Sequence, residues 1–183
     1  EMNNLNTSQP TSIIARVTSE GTEGYLYDAM YWDEYRQLLL QLIARRKNLR
    51  TDHSELNGYS NRIVSQVLKE HNGTIPSRIL GAEQSNTSVI FDDRFFLKIY
   101  RKLDRALNPD VEVVSTLTDR ANFEQVPRFL GSLEHVEAGK QPMVLVMLQE
   151  LVPNQGDAWV MMESSLKRLE VPIGSLYIGK AIP

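Results

Sequence analysis

Residues 81–103 read GAEQSNTSVIFDDRFFLKIYRKL, and the fold turns on how Lys98 sits among them. Two runs rich in β-branched and aromatic residues, 88–91 and 95–100, flank the short connection Asp92-Asp93-Arg94, which predicts an antiparallel pair of strands. Strand alternation then puts Phe96, Lys98 and Tyr100 on one face and Phe95, Leu97 and Ile99 on the other. A lysine thus interrupts an apolar run and shares its face with two aromatic rings. Taken alone, it reads first as an ordinary strand lysine with its ammonium in solvent.

Working outward, a strand over 78–82 makes the pair a three-stranded meander. Asn108-Pro109-Asp110 predicts a helix start, with Asn as cap, Pro in the first turn and an acid beside it. Val111, Val114, Leu117 and Ala121 are expected on its inner face, with Glu112 in its first turn, where an acid also suits the helix dipole. Strands follow over 126–133 and 142–152. The second, PMVLVMLQELV, is apolar on both faces at its centre and so is expected in mid-sheet. Residues 153–156 form a connection, and 157–169 have helical spacing in Trp159, Met162, Leu166 and Leu169.

Upstream, the first ten residues are polar and read as a frayed end. Residues 12–18 and 24–31 suggest a hairpin around SEGTEG. From Asp33 an amphipathic helix is predicted by Tyr35, Leu38, Leu39, Leu42 and Ile43, and Arg45-Arg46-Lys47 at its end complement the dipole. Residues 48–58 read as a polar loop. A second helix carries Ile63, Val64, Val67 and Leu68 and stops at Asn72-Gly73.

Composition narrows the function classes. The chain has 183 residues, 42% hydrophobic content and a net charge of −3, so neither nucleic acid nor a membrane is suggested as partner. No basic, apolar leader is visible at the start, and the cytoplasm is the expected location. With no cysteine, disulfides and thiolate chemistry are excluded, and His53, His71 and His135 stand too far apart for a metal motif.

Three meandering strands, a helix, two strands and a connection follow the order of the small lobe of the protein-kinase-like fold. That fold uses a loop between its first two strands, a lysine in the third, a glutamate on the next helix and a hinge after the fifth. The expected class is therefore α+β: a kinase-like (aminoglycoside-phosphotransferase-like) small lobe over 76–152, a cap of hairpin and helices over 1–75, and a hinge with the start of a helical lobe over 153–183.

The runs GAEQSNTSVIFDDRFFLKIYRKL, LNPDVEV, VPRFLGSLEH and LQELVPNQGDAW closely resemble the N-terminal part of bacterial maltokinases, including those fused behind trehalose synthase. The likeness extends from about Gly81 to Trp159, and YLYDAMY with the following helix is similar to the family's N-terminal cap. It implies transfer of phosphate from ATP, with Mg2+, to maltose, giving maltose 1-phosphate. By that resemblance Lys98 contacts the nucleotide phosphates, Glu112 orients it, and Gln84, Ser85, Asn86, Thr87 and Ser88 form the covering loop. Gln149 stands at the gate of the adenine pocket, and Glu150 and Val152 offer backbone groups to the adenine edge. Asp157 is a weaker candidate for ribose or substrate.

A phosphoryl-transfer enzyme also needs an acceptor base and metal-binding side chains, which this fold places after the hinge. Residues 158–183 contain no His, Asn or Asp, so no catalytic or metal-binding residue is assigned here. The expectation is a piece of a longer maltokinase-like enzyme, inactive alone, with maltose contacts mainly elsewhere and self-association through its uncovered face. A docking module for a trehalose synthase domain or subunit is the alternative. A kinase-like lobe acting on another sugar or alcohol is a third.

Overall fold

The computed structural model describes residues 12–80, 85–154 and 158–168. Strands β1 (Ile13–Ser19) and β2 (Thr22–Tyr27) form the expected hairpin. The second strand stops short of Tyr31 because Ala29–Tyr31 is a 3-10 turn, opened by Asp28 Oδ1 accepting the Met30 N–H at 3.0 Å. Helix α1 (Asp33–Ala44) and α2 (Arg62–Glu70) lie where the apolar spacing puts them. The second ends at Asn72 and Gly73, which take φ of 56° and 90°.

Residues 48–58 are not a loop. They supply β3 (Asn48–Arg50) and most of β4 (Ser54–Ser60), and the latter pairs along its whole length with β8 (Phe129–Glu137). Their polarity hid them: β3 is an edge strand exposed at every residue, so it carries no inward apolar set for alternation to display. With β5 (Ser77–Leu80), β6 (Asn86–Phe91), β7 (Phe95–Tyr100) and β9 (Met143–Glu150), they complete a seven-stranded antiparallel sheet of order β3-β4-β8-β9-β7-β6-β5. The sheet runs without a break across residue 75, joining strands from the expected cap and the expected lobe. The α+β class with an antiparallel sheet is thus the observed one.

Strand β9 is central, as its two-sided apolarity requires, with β8 on one side and β7 on the other. Strand β8 begins later than expected and runs on to Glu137. The turn between β6 and β7 is tight, Asp92 and Asp93 both taking left-handed φ near 50°.

One core joins α1, α2 and the sheet: Leu39, Leu40, Ile43, Val64 and Leu68 meet Phe95, Leu97, Leu130, Leu133 and Leu148. Leu38, expected inward, is exposed, because it stands one turn from Glu34 on the outer line of α1. Arg36 and Gln37 are buried in its place. The Gln37 amide grips the backbone of Ile75, Nε2 donating to its carbonyl at 2.7 Å and Oε1 accepting its N–H at 3.3 Å. Arg36 donates to Met30 O at 2.6 Å, Ser77 Oγ at 2.7 Å and Asp33 Oδ1 at 2.8 Å. One guanidinium therefore ties the 3-10 turn, α1 and β5 together. Arg36→Ala is expected to cost about 2 kcal/mol, the half-exposed Asp33 softening the loss of a buried partner, as read by urea unfolding.

Helix α3 (Pro109–Ser115) starts at the predicted cap, Asn108 Oδ1 accepting the Asp110 N–H at 3.0 Å. It then passes into a π-helical turn, Thr116–Arg120, where the 3.6-residue period lapses. Val111, Val114 and Leu117 are consequently only half-buried and Ala121 is exposed.

Among the described residues, those from Val152 onward group as a second unit. Within it, α4 (Ala158–Arg168) confirms the helical spacing, with Met162 and Leu166 exposed and Lys167 paired with Glu163 at 2.7 Å. Among the described residues no helix is long and apolar enough to cross a membrane.

Candidate functional site

Register brings the site together. Across the antiparallel strands Ser88 faces Lys98, Lys98 faces Met147, and Phe96 faces Gln149, and residues directly opposite share a face of the sheet. Those five side chains and Asp110 line a cavity of about 270 Å3. The opposite face of β7 is spent on the core, through Phe95, Leu97 and Ile99. Lys98 therefore lies on the free face of the sheet, as its alternation required.

Its ammonium is not adrift in solvent. Lys98 Nζ stands 2.5 Å from Asp110 Oδ2 and 5.4 Å from the centre of the Tyr100 ring. Tyr100 Oη also donates to Asp110 Oδ2, at 3.3 Å. Burial, and then the neighbouring Asp110 charge, push the Tyr100 phenol well above its usual pKa, so it remains a donor at any physiological pH. One carboxylate thus receives both a cation and a phenol.

That carboxylate is Asp110 and not Glu112. Two residues along a helix is a rotation of about 200°, so the two acids leave α3 on opposite sides and only one can look at β7. Asp110, whose side chain is half-exposed, is the acid that reaches Lys98, and Glu112 is exposed. The sequence displayed Asp110 only as a helix-start acid.

The proposed loop divides in the same way. Gln84 and Asp157 lie outside the described residues. Ser85 accepts the Arg101 N–H at its carbonyl, at 2.9 Å, and its hydroxyl accepts from Asn86 Nδ2 at 3.0 Å. Ser88 is nearly buried and lines the Lys98 cavity. Thr87 points to the other face, where its hydroxyl accepts from Arg101 Nε and Nη2 at 2.9 and 2.7 Å. Arg101 reaches on to Asp28 at 2.5 Å, linking the end of the β1–β2 hairpin to β6 and β7.

At the other end of the cavity Gln149 is half-buried. Glu150 is exposed, and its N–H already donates to Arg128 O at 2.9 Å. Val152 belongs to the second unit and is half-exposed. Among the described residues no three His, Asp or Glu side chains gather to hold a metal ion. Asp110, the acid in the cavity, is engaged by Lys98 and Tyr100, so these residues do not fit a magnesium site of their own.

No protein-family model matches the sequence. A solved structure of a glucosamine kinase, in crystal form B, is similar at a TM-score of 0.48 and 19% sequence identity. The alignment covers 92% of this chain and 42% of the glucosamine kinase, so the chain spans less than half the length of that protein.

Proposed function

We propose that this chain carries the nucleotide-phosphate side of an ATP-dependent sugar phosphotransferase of the maltokinase type. The supporting observation is the Lys98–Asp110 pair at a cavity on the free face of a meander. A strand ammonium oriented by a helix carboxylate is the device that kinase-like folds use to hold nucleotide phosphates. Ser88 supplies a hydroxyl on the same face, and Gln149 lies where the cavity approaches the end of β9. In this reading Glu150 and Val152 present backbone groups to the adenine edge, and maltose is the acceptor, as the sequence resemblance implies. Lys98 holds and orients phosphate; magnesium enters no step assigned to these residues.

The chain by itself is expected to bind a fluorescent ATP analogue without converting maltose to maltose 1-phosphate. Lys98→Met is expected to weaken that binding about tenfold, the loss of one charge-assisted contact to phosphate. Equal binding by the folded variant overturns the role of Lys98. The docking-module reading draws on the exposed apolar hairpin residues Ile14 and Leu26, at 66% and 52% exposure. Capture of a trehalose synthase domain by a Lys98→Met chain that binds no nucleotide would favour it.

A further inference from the structure

A concavity larger than the Lys98 cavity lies elsewhere. A groove of about 910 Å3 lies between the end of α1 and α2, and Arg45, Arg46, Arg62 and Lys69 line it with no carboxylate among its walls. All four are exposed, and none joins an ion pair among the described residues. In a chain of net charge −3, four uncompensated cations at one groove stand out.

Helix dipoles account for only part of this. The ends of α1 and α2 border the groove, and each presents roughly half a negative charge, about −1 together against four full positive charges. Their last carbonyls are also served already by backbone donors: Gln41 O by the Arg45 N–H, Leu42 O by that of Lys47, Val67 O by that of His71 and Leu68 O by that of Gly73. Arg62 stands at the first residue of α2, where the dipole disfavours a cation. Its position has no capping explanation.

We infer that this groove is a binding site for a small oligophosphate, a ligand carrying two or more linked phosphate groups. Guanidinium groups match phosphate oxygens in a fork of paired donors, and three arginines around one concavity suit several phosphates better than one. A hollow of this size matches a small molecule. Arg46 is held in place by Nε donating to Ser60 O at 3.0 Å. Ser65 is not a ligand donor, since its hydroxyl donates to Ala44 O at 2.6 Å. The site is built from α1 and α2, whereas the Lys98 cavity is built from β6, β7, β9 and α3, and the inference stands whether or not that cavity takes ATP.

Isothermal titration of the chain with inorganic tripolyphosphate tests this. Binding is expected to weaken at least about tenfold in Arg45→Gln/Arg62→Gln, and to survive in Arg16→Gln/Arg120→Gln, which removes the same charge elsewhere. Gln66→Glu places a carboxylate in the groove without removing a cation and is expected to produce a similar loss, which covers the case of a double variant that does not fold. Lys98→Met is expected to leave at least one tripolyphosphate bound. No binding by the parent chain, equal losses in the two double variants, or binding lost in Lys98→Met and kept in the groove variants would each overturn the assignment.

Discussion

Gly131→Ala is expected to destabilise the protein by about 3 kcal/mol or more, a large share of the roughly 5–15 kcal/mol that holds a domain folded. A Cβ at that position would stand 2.2 Å from Tyr59 O and 2.8 Å from Ile43 Cγ2. Gly58, on the neighbouring strand β4, is similar: its Cβ would meet Leu42 O at 2.2 Å. Both clashes are with backbone oxygens, which a change of rotamer cannot relieve, so the sheet or α1 must move. These glycines let α1 lie directly on β4 and β8, and the core residues Leu40 and Ile43 depend on that approach. A fall in Tm of about 10 °C is the expected reading in either variant. A Tm unchanged within a degree or two would show that the backbone does not pack so closely, around Leu42 at Gly58 or around Tyr59 at Gly131.

Asp110→Asn should weaken binding of an ATP analogue about tenfold, while Glu112→Gln leaves it within about twofold. The asymmetry follows from Asp110 holding the Lys98 ammonium at 2.5 Å while Glu112 leaves the helix on the other side. Tyr100 provides a second reading that general loss of structure would not produce. Removing the Asp110 charge takes away one cause of its raised pKa while burial remains, so the phenol should ionise at lower pH in Asp110→Asn by ultraviolet titration. Equal losses of nucleotide affinity in the two variants, with the Tyr100 titration unmoved, would return the orienting role to Glu112.

Where a signal was local, the sequence displayed it well. The tight turn at Asp92-Asp93, the cap Asn108-Pro109-Asp110, the stop at Asn72-Gly73 and the alternation of FFLKIY are each written within a few residues, and each is found in the structure. Two-sided apolarity placed β9 in the middle of the sheet for the same reason. Signals that depended on distant partners were poorly legible. Ser54–Ser60 looks polar and contains a glycine, yet it is a strand because β8 supplies its hydrogen bonds and α1 covers Gly58. Arg36 and Gln37 look like surface residues of α1, yet they are buried because Met30, Ile75 and Ser77 offer them partners.

The same division runs through the candidate site. The sequence by itself determined that Lys98 stands on a strand beside aromatic rings, because a period of two is a property of the backbone. It also determined that acids open the next helix. Which acid meets the lysine was decided only by the tertiary structure, since that depends on the rotation at which α3 settles against β7, and helical geometry sends Asp110 and Glu112 to opposite sides. The basic residues after α1 were visible as a triplet, but only folding placed Arg62 and Lys69 across the groove from them. Cations from two neighbouring helices become one positive groove through the packing of those helices.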